Sequence, residues 1–321
     1  MAPRIQNTNI SLISAGFFLL LSLLSPVSAQ AEGEGALSVS PLFTDITLGA
    51  SESSQEFFLT VANTTAEPVV LRLSLVDFGS LNESGGIAFL GKDASGTNRY
   101  ALASWIIPEK DVVTLLPDTE EKLKLTIENR ESLSPGGHYG AALFSIEPEG
   151  GRVEAADSNV SVNSTFSALI FAKKEGGALR ELTLKETWTD EYALWSGLPE
   201  KRGVRFQNSG NVDLTPRGRI VLTDPLGRLV AKGILNEDSS RILPESFRNY
   251  STSLSPMALR LVPGFYMLST EYRFDGQDAF QTVPEQRIFA WGIALWWGVG
   301  IGAILIGIRA LRRKTKQAET L

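Results

Sequence analysis

Few residues of this 321-residue chain belong to the types that enzymes use for nucleophilic or metal-assisted chemistry. The sequence contains no cysteine and a single histidine, His138. The lack of cysteine excludes a thiol nucleophile and a thiolate zinc site. His138 has no cysteine partner and no Gly-x-Ser-x-Gly motif that it could serve as a general base. We therefore interpret His138 as a strand residue beside a turn, and we expect neither an enzyme nor a cofactor.

Two short motifs resemble ligand-binding loops. Residues 86–92 match the first part of a phosphate-binding loop, but Asp93 stands where a Ser or Thr would hold magnesium. We interpret this stretch as a glycine-punctuated β-turn. Residues 93–98 have an oxygen-rich spacing similar to that of a calcium loop, but the terminal bidentate glutamate is missing. Calcium is therefore the lesser alternative, and no metal site is predicted.

The charge of the chain restricts its partners. There are 36 acidic and 30 basic residues, which gives a net charge of −6. The acidic excess grows when the basic C-terminal residues are set aside. Because nucleic acids and anionic lipid surfaces require a basic footprint, neither is the expected partner of the main body.

The longest uncharged run lies near the C-terminus, from Ile288 to Ile308. As a helix, its 21 residues would reach roughly 30 Å, the thickness of a bilayer core. The run predicts a transmembrane helix over 288–308, and the basic residues after it predict a cytoplasmic tail over 309–321. The bilayer itself is then a partner.

The N-terminus has the features of a removable signal peptide over residues 1–29. Together, the two apolar segments predict a single-pass type I cell-membrane protein with an extracytoplasmic ectodomain. Ala294, Gly298 and Gly302 stand four residues apart, a spacing that lets two membrane helices approach closely. This spacing predicts a helix contact that could support a homo-oligomer.

Between these segments the sequence alternates with period two, which is typical of half-buried strands. Phe57, Leu59 and Val61 alternate with polar neighbours, and the same pattern recurs along the chain. A Lys-Lys-Glu-Gly-Gly stretch at 173–177 interrupts it. The pattern predicts an all-β protein with two immunoglobulin-like antiparallel β-sandwich modules in tandem, over 36–175 and 178–284.

The two modules share turn motifs. Each has a strand that ends on an asparagine, Asn63 or Asn208, and later a Pro-Gly turn, at Pro135 or Pro263. The first module holds about 17 more residues between these points, and we place the extra chain between 77 and 104. Because function concentrates in loops on rigid scaffolds, this insertion is the candidate partner-binding loop. Its apolar residues are the candidate contacts: Ile87, Phe89, Leu90 and Tyr100.

An alternative for the same insertion is a small hairpin that covers one sheet edge. Such a hairpin would use the apolar side chains for packing instead of recognition.

Several motifs resemble the DUF916 domain of WxL-interacting proteins on bacterial surfaces. They are Ser38-Val39-Ser40-Pro41, Ala103-Ser104-Trp105-Ile106 and Pro135-Gly136-Gly137-His138-Tyr139-Gly140, in that order. The second module, with Pro244-Glu245-Ser246-Phe247 and Pro263-Gly264-Phe265-Tyr266, is similar to the companion domain of that family. The resemblance implies a surface protein that holds peptidoglycan or partner surface proteins, but no motif assigns a binding residue one-to-one.

The sequence is therefore compatible with two functions. The first is a membrane-anchored, non-catalytic surface protein that binds or scaffolds cell-wall polymer or partner surface proteins. The alternative is a membrane-tethered assembly chaperone for exported subunits, because the edges of β-sandwiches support strand addition.

Overall fold

The computed structural model of the protein describes residues 36–93, 98–147, 165–194, 196–258 and 262–318. In these ranges the chain is almost entirely β-structure. Strands β1 to β10 form a first domain: β1 (Leu37–Ser40), β2 (Phe43–Leu48), β3 (Ser54–Asn63), β4 (Val69–Ser80), β5 (Ile87–Gly91), β6 (Ile106–Pro108), β7 (Val112–Leu115), β8 (Thr119–Glu128), β9 (Gly136–Ile146) and β10 (Thr165–Lys174). A short 3-10 helix, Ala103–Trp105, precedes β6.

The remaining strands form a second domain: β11 (Leu182–Tyr192), β12 (Pro199–Asn208), β13 (Arg217–Thr223), β14 (Leu229–Leu235), β15 (Phe247–Ser253), β16 (Ser255–Pro256), β17 (Gly264–Arg273) and β18 (Gln281–Ala290). An α-helix, α1 (Gly292–Ala318), follows β18. Each domain is an immunoglobulin-like β-sandwich, as the period-two pattern predicted.

The first domain packs two sheets face to face. Sheet 1 has the strand order β1-β3-β8-β6, and sheet 2 has the order β2-β10-β9-β4-β5, with β7 also paired to β4. β2 runs parallel to β10, whereas the other pairs are antiparallel. The core between the sheets takes alternate residues of the strands other than β5. On β3 and β8, for example, Leu59 and Leu125 are fully buried.

The second domain repeats this plan with three strands facing five. Sheet 3 has the order β11-β12-β15, and sheet 4 has the order β16-β14-β13-β17-β18. The turn Asp224-Pro225-Leu226-Gly227 joins β13 to β14. The Asp224 carboxylate accepts hydrogen bonds from the backbone N–H groups of Leu226 and Arg228, each at 2.9 Å, and Gly227 has a φ of +77°.

The asparagine turns of the two domains have the same structural role. Asn63 and Asn208 are both fully buried at the end of a strand. Each side-chain amide donates to a carbonyl four residues further on at 2.8 Å, and each side-chain oxygen accepts from the N–H two residues further on at 2.9 Å. The internal repeat seen in the sequence therefore reflects two turns that are stabilised in the same way.

The predicted transmembrane helix over 288–308 is wrong. Ile288, Phe289 and Ala290 form the end of β18 and pair with Tyr266, Phe265 and Gly264 of β17. The uncharged run is thus a strand end joined to the start of a helix, and only about 17 of its residues, roughly 25 Å, are helical. Among the described residues, no helix combines the length and apolar character needed to cross a bilayer.

The predicted type I membrane topology loses its basis with that helix. The residues assigned to a cytoplasmic tail continue α1 as far as Ala318. The proposed helix contact through Ala294, Gly298 and Gly302 was derived for a bilayer and is likewise unsupported. A Cβ atom added at Gly298 or Gly302 would meet no atom within 4 Å. The predicted signal peptide, 1–29, lies outside the described residues.

Candidate functional site

The face of sheet 2 that points away from the first-domain core is apolar, although a polar, solvent-exposed face would be expected there. Alternate residues of β9 and β10 point inward, yet the residues between them are also hydrophobic. Phe78, Tyr139, Leu169 and Phe171 are buried on this outer face. Because an antiparallel sheet normally leaves one face to water, an apolar outer face indicates that something covers it.

Aromatic rings form the centre of this outer face. The ring centroid of Phe171 lies 5.4 Å from that of Phe78, 5.7 Å from that of Tyr139 and 6.4 Å from that of Phe43. Tilted and edge-to-face arrangements at these distances are the favourable ones for aromatic pairs. The cluster therefore joins β2, β10, β9 and β4 into one continuous hydrophobic surface.

The second domain covers part of this surface and leaves a cleft. Its segment 238–248 faces the outer face of sheet 2 across a cavity of about 350 Å³. Phe43, Phe78, Ile87 and Phe171 line the cavity from the first domain, and Leu243 and Phe247 line it from the second. The cleft is thus a mainly apolar space between two rigid sandwiches, at the low end of the size range of ligand cavities.

Arg241 joins the two domains at the β2 side of the cleft. Its guanidinium lies 4.3 Å from the ring centroid of Phe171 and donates to both oxygens of Asp45, at 2.5 and 2.6 Å. It also lies 3.3 Å from a carboxylate oxygen of Asp213. The hydrogen bond from Arg241 holds the pKa of Asp45 below its usual range. A planar guanidinium suits this double role, because it can stack on a ring while forming a bidentate pair.

The opposite edge of the outer face is β5, the strand formed by the predicted insertion. Phe89 lies opposite Phe78 in the β4–β5 pair, and Ile87 lies opposite Ser80, so both belong to the outer face. Ile87, Phe89 and Leu90 are 40%, 48% and 58% exposed. Among the described residues, no strand pairs with the second edge of β5.

The structure therefore places two of the four candidate contacts of the insertion, Ile87 and Phe89, on the outer face. Leu90 lies beside Gly79, on the other face of the β4–β5 pair. Tyr100 is separate from them and half-buried at the domain junction. Its hydroxyl donates to Glu245 of the second domain at 2.8 Å, and its ring lies 6.4 Å from that of Tyr139. Burial, together with the acceptor Glu245, raises the pKa of Tyr100 to about 12. Tyr100 thus supports the junction.

The sequence interpretation missed Phe43, Phe171 and Arg241 as members of the site. A signal was present in β9 and β10, where apolar residues continue without alternation along most of each strand. Continuous apolar strands indicate burial on both faces. Which element provides the second cover could not be read from those residues.

The glycine-punctuated stretch 86–92 and the calcium-like stretch have no ligand-binding geometry in the described residues. Residues 87–91 form β5, which is incompatible with a phosphate loop that opens a helix. Most of the calcium-like stretch, 94–97, lies outside the described residues. Within the described ranges, no group of three or more acidic, histidine or cysteine residues is arranged to hold a metal ion.

His138 is buried in a structural position. Its Nδ1 lies 3.2 Å from the carbonyl oxygen of Ala101 and its Nε2 lies 2.7 Å from that of Ser134. A neutral imidazole can donate from one nitrogen only, whereas the cation could donate from both. Burial nevertheless outweighs these two carbonyls and lowers the pKa of His138. In its neutral form, which burial favours, the ring donates to one of the two carbonyls and only packs against the other.

This burial predicts a pH dependence of stability. The unfolded chain binds a proton at His138 near pH 6.5, whereas the folded protein resists protonation. Stability should therefore fall as pH is lowered from 7 to 5, with a slope from this group of at most about 1.4 kcal/mol per pH unit. Chemical unfolding of the wild type and His138→Gln across this range measures the difference. Parallel pH profiles for the two proteins would contradict it.

The fold and the site define a two-domain, immunoglobulin-like β-sandwich protein with an apolar cleft between its domains. No family model matches the chain. No curated protein matches it either. Solved structures do show similarity. The class 5 fimbriae chaperone CfaA is 12% identical, with 78% of this chain and 100% of that chain covered and a TM-score of 0.43.

Two further solved structures have a similar extent of overlap. The E. coli chaperone DraB is 12% identical, with 78% of this chain and 98% of that chain covered and a TM-score of 0.36. The Pseudomonas aeruginosa CupB2 chaperone is 14% identical, with 76% and 98% covered and a TM-score of 0.32. At these levels of similarity, the function of this chain has to be argued from its own geometry.

Proposed function

We propose that this protein is a non-catalytic binding protein that holds an extended apolar segment of a partner protein, in the manner of an assembly chaperone. The segment adds as a strand to the second edge of β5. Its alternate side chains lie on the outer face of sheet 2 and reach the cleft. The observation that carries the proposal is the apolar outer face, which runs from the domain cleft to an exposed strand edge.

The edge of β5 has the chemistry that strand addition requires. A strand edge presents backbone N–H and C=O groups, and an added strand satisfies them while its side chains give specificity. Charged residues or proline usually protect the edge strands of a sheet from pairing with other chains. β5 (Ile-Ala-Phe-Leu-Gly) contains neither. A bulge between Asp77 and Phe78 and the short length of β5 limit pairing with unrelated edges.

The character of the surface indicates the class of partner. Its rings and aliphatic side chains gain free energy when they remove apolar groups from water. An apolar polypeptide strand therefore fits better than the cell-wall polymer implied by the DUF916 resemblance, which is rich in hydroxyl groups.

A binding assay with synthetic decapeptides that alternate β-branched apolar and polar residues tests the proposal. Phe89→Asp should weaken peptide binding at least about tenfold, since one buried aromatic contact is replaced by a desolvated charge. Phe58→Asp is the matched control. Phe58 is also a half-exposed phenylalanine, but it lies on β3 in sheet 1. Equal loss of affinity in both variants would contradict the site.

Two further readouts distinguish strand addition from unspecific hydrophobic binding. Methylation of alternate backbone nitrogens along one peptide edge should abolish binding, whereas methylation along the other edge should not. Bound peptide should also protect backbone amides of residues 87–91 from hydrogen exchange. If no such peptide binds, or if protection appears elsewhere, the proposed function is wrong.

A further inference from the structure

The tip of the β4–β5 hairpin, residues 81–86, contacts the second domain. The N–H of Leu81 donates to the carbonyl of Gly86 at 2.9 Å and closes the tip. The Asn82 side-chain oxygen accepts from the N–H groups of Ser84 and Gly86, each at 3.1 Å. These bonds stabilise the turn that contains Glu83.

Glu83 makes a dense set of contacts with sheet 3. Its carboxylate accepts a bidentate pair from Arg205, with Nε at 2.8 Å and Nη2 at 2.5 Å. Its backbone carbonyl accepts from the N–H of Asn249 at 2.7 Å, and the Asn249 side chain donates to its carboxylate at 3.2 Å. Arg205 and Asn249 are direct neighbours across the β12–β15 pair. The hairpin is thus bonded to two adjacent strands at once.

The surroundings of these contacts hold both partners in place. The guanidinium of Arg205 stacks 4.3 Å from the ring centroid of Phe247, which fixes its plane toward Glu83. Gly85 has a φ of +95°, and a Cβ atom there would lie 2.1 Å from the guanidinium of Arg248. The positive φ of Gly85 therefore favours glycine at the point where the tip approaches β15, with the guanidinium of Arg248 beside it.

The position of these contacts gives them a role beyond packing. β2 lies at one edge of sheet 2 and β5 lies at the other, next to β7, and both β2 and the hairpin that contains β5 are tied to the second domain. The Asp45–Arg241 pair ties β2, and the Glu83–Arg205 pair ties the hairpin that leads into β5. The cleft lies between these two ties.

We propose that Glu83 is a positioning residue that fixes the angle between the two domains and places β5 beside the cleft. Loss of the Glu83–Arg205 pair frees the hairpin tip, widens the range of interdomain angles and separates the two surfaces that hold the partner segment. The effect on binding rests on the proposed function, whereas the effect on the domain angle does not.

Pulsed electron spin resonance tests the domain angle in the full chain without any peptide. Because the chain contains no cysteine, Ala66→Cys and Leu226→Cys introduce two unique labels, one on each domain. Glu83→Gln and Arg205→Gln should each broaden the distance distribution. The exchanged pair Glu83→Arg with Arg205→Glu should narrow it again, which a merely structural defect would not do. High salt should broaden the distribution of the wild type more than that of Glu83→Gln, in which the Asp45–Arg241 pair remains to be screened.

Lys110→Gln is the matched control, because Lys110 forms an ion pair with Glu121 inside the first domain at 2.6 Å. It should leave the distribution unchanged. An unchanged distribution in Glu83→Gln, with cooperative unfolding retained, would overturn the proposal. With the alternating decapeptides, Glu83→Gln should lower affinity about fivefold, at the low end of coupling between sites. Failure of all peptides to bind would overturn the proposed function. The positioning role of Glu83 would then be decided by the distance measurement alone.

Discussion

Asp77→Ala should lower the free energy of unfolding by about 4 kcal/mol. Asp77 is 1% exposed and accepts three backbone hydrogen bonds. The N–H groups of Leu102 and Ala103 donate to one carboxylate oxygen at 2.7 Å, and the N–H of Asp93 donates to the other at 2.9 Å. Alanine would leave three donors without this acceptor, and each buried unsatisfied donor costs about 1–3 kcal/mol.

Chemical unfolding of the full chain measures this effect, and two variants sharpen it. Asp77→Asn keeps one acceptor oxygen and should lose about half as much stability, because its amide nitrogen would face the N–H of Asp93. Asp111→Ala removes an exposed carboxylate and should change stability by less than about 0.5 kcal/mol. Equal stability of Asp77→Ala and Asp111→Ala would show that Asp77 does not stabilise the segment between β5 and β6. The Asp77 site matters for the proposed function because it fixes the chain on both sides of β5.

Gly136→Val should lower the free energy of unfolding by about 3 kcal/mol. Gly136 begins β9 with a φ of +122°, a conformation that a β-branched residue adopts only with strain. A Cβ atom there would also lie 3.0 Å from the backbone oxygen of Asn211, in the second domain. That oxygen accepts a hydrogen bond from the N–H of Gly137 at 2.8 Å, so the substitution disturbs the domain junction as well as the turn.

The control for this substitution is Gly49→Val. Gly49 does not have a positive φ, and the atoms nearest to an added Cβ belong to the flexible side chain of Glu52, at 3.2 Å or more. Valine there should cost less than about 1 kcal/mol. Differential scanning calorimetry of both variants compares them directly. Equal melting of Gly136→Val and the wild type would contradict the assigned turn.

The sequence by itself determined the class of fold and several local structures. Period-two alternation along β3 and β8 predicted which residues are buried, because successive strand residues point to opposite faces. Gly136 and Gly264, the glycines of the two Pro-Gly turns, both have positive φ, at +122° and +142°. These features depend on residues near one another in the chain, so a local pattern is sufficient to predict them.

The predicted transmembrane helix over 288–308 was wrong because the absence of charge does not distinguish a helix from a strand. Ile288, Phe289 and Ala290 have the hydrophobicity of a membrane helix, but their backbone groups pair with β17. Strand pairing depends on a partner about twenty residues earlier, and a hydropathy window does not include that partner. A prediction based on length and apolar character alone therefore treated the end of a strand and the beginning of a helix as one continuous helix.

Only the tertiary structure decided where the candidate site lies. Ile87 and Phe89 could be chosen from the sequence, but the cleft beside them also requires Phe171 from β10 and Phe247 from the second domain. Likewise, Glu83 and Arg205 are 122 residues apart in the chain and meet only because the hairpin reaches sheet 3. Sequence patterns determine which face of each strand is apolar. The packing of one domain against the other decides which part of that face stays open to a partner.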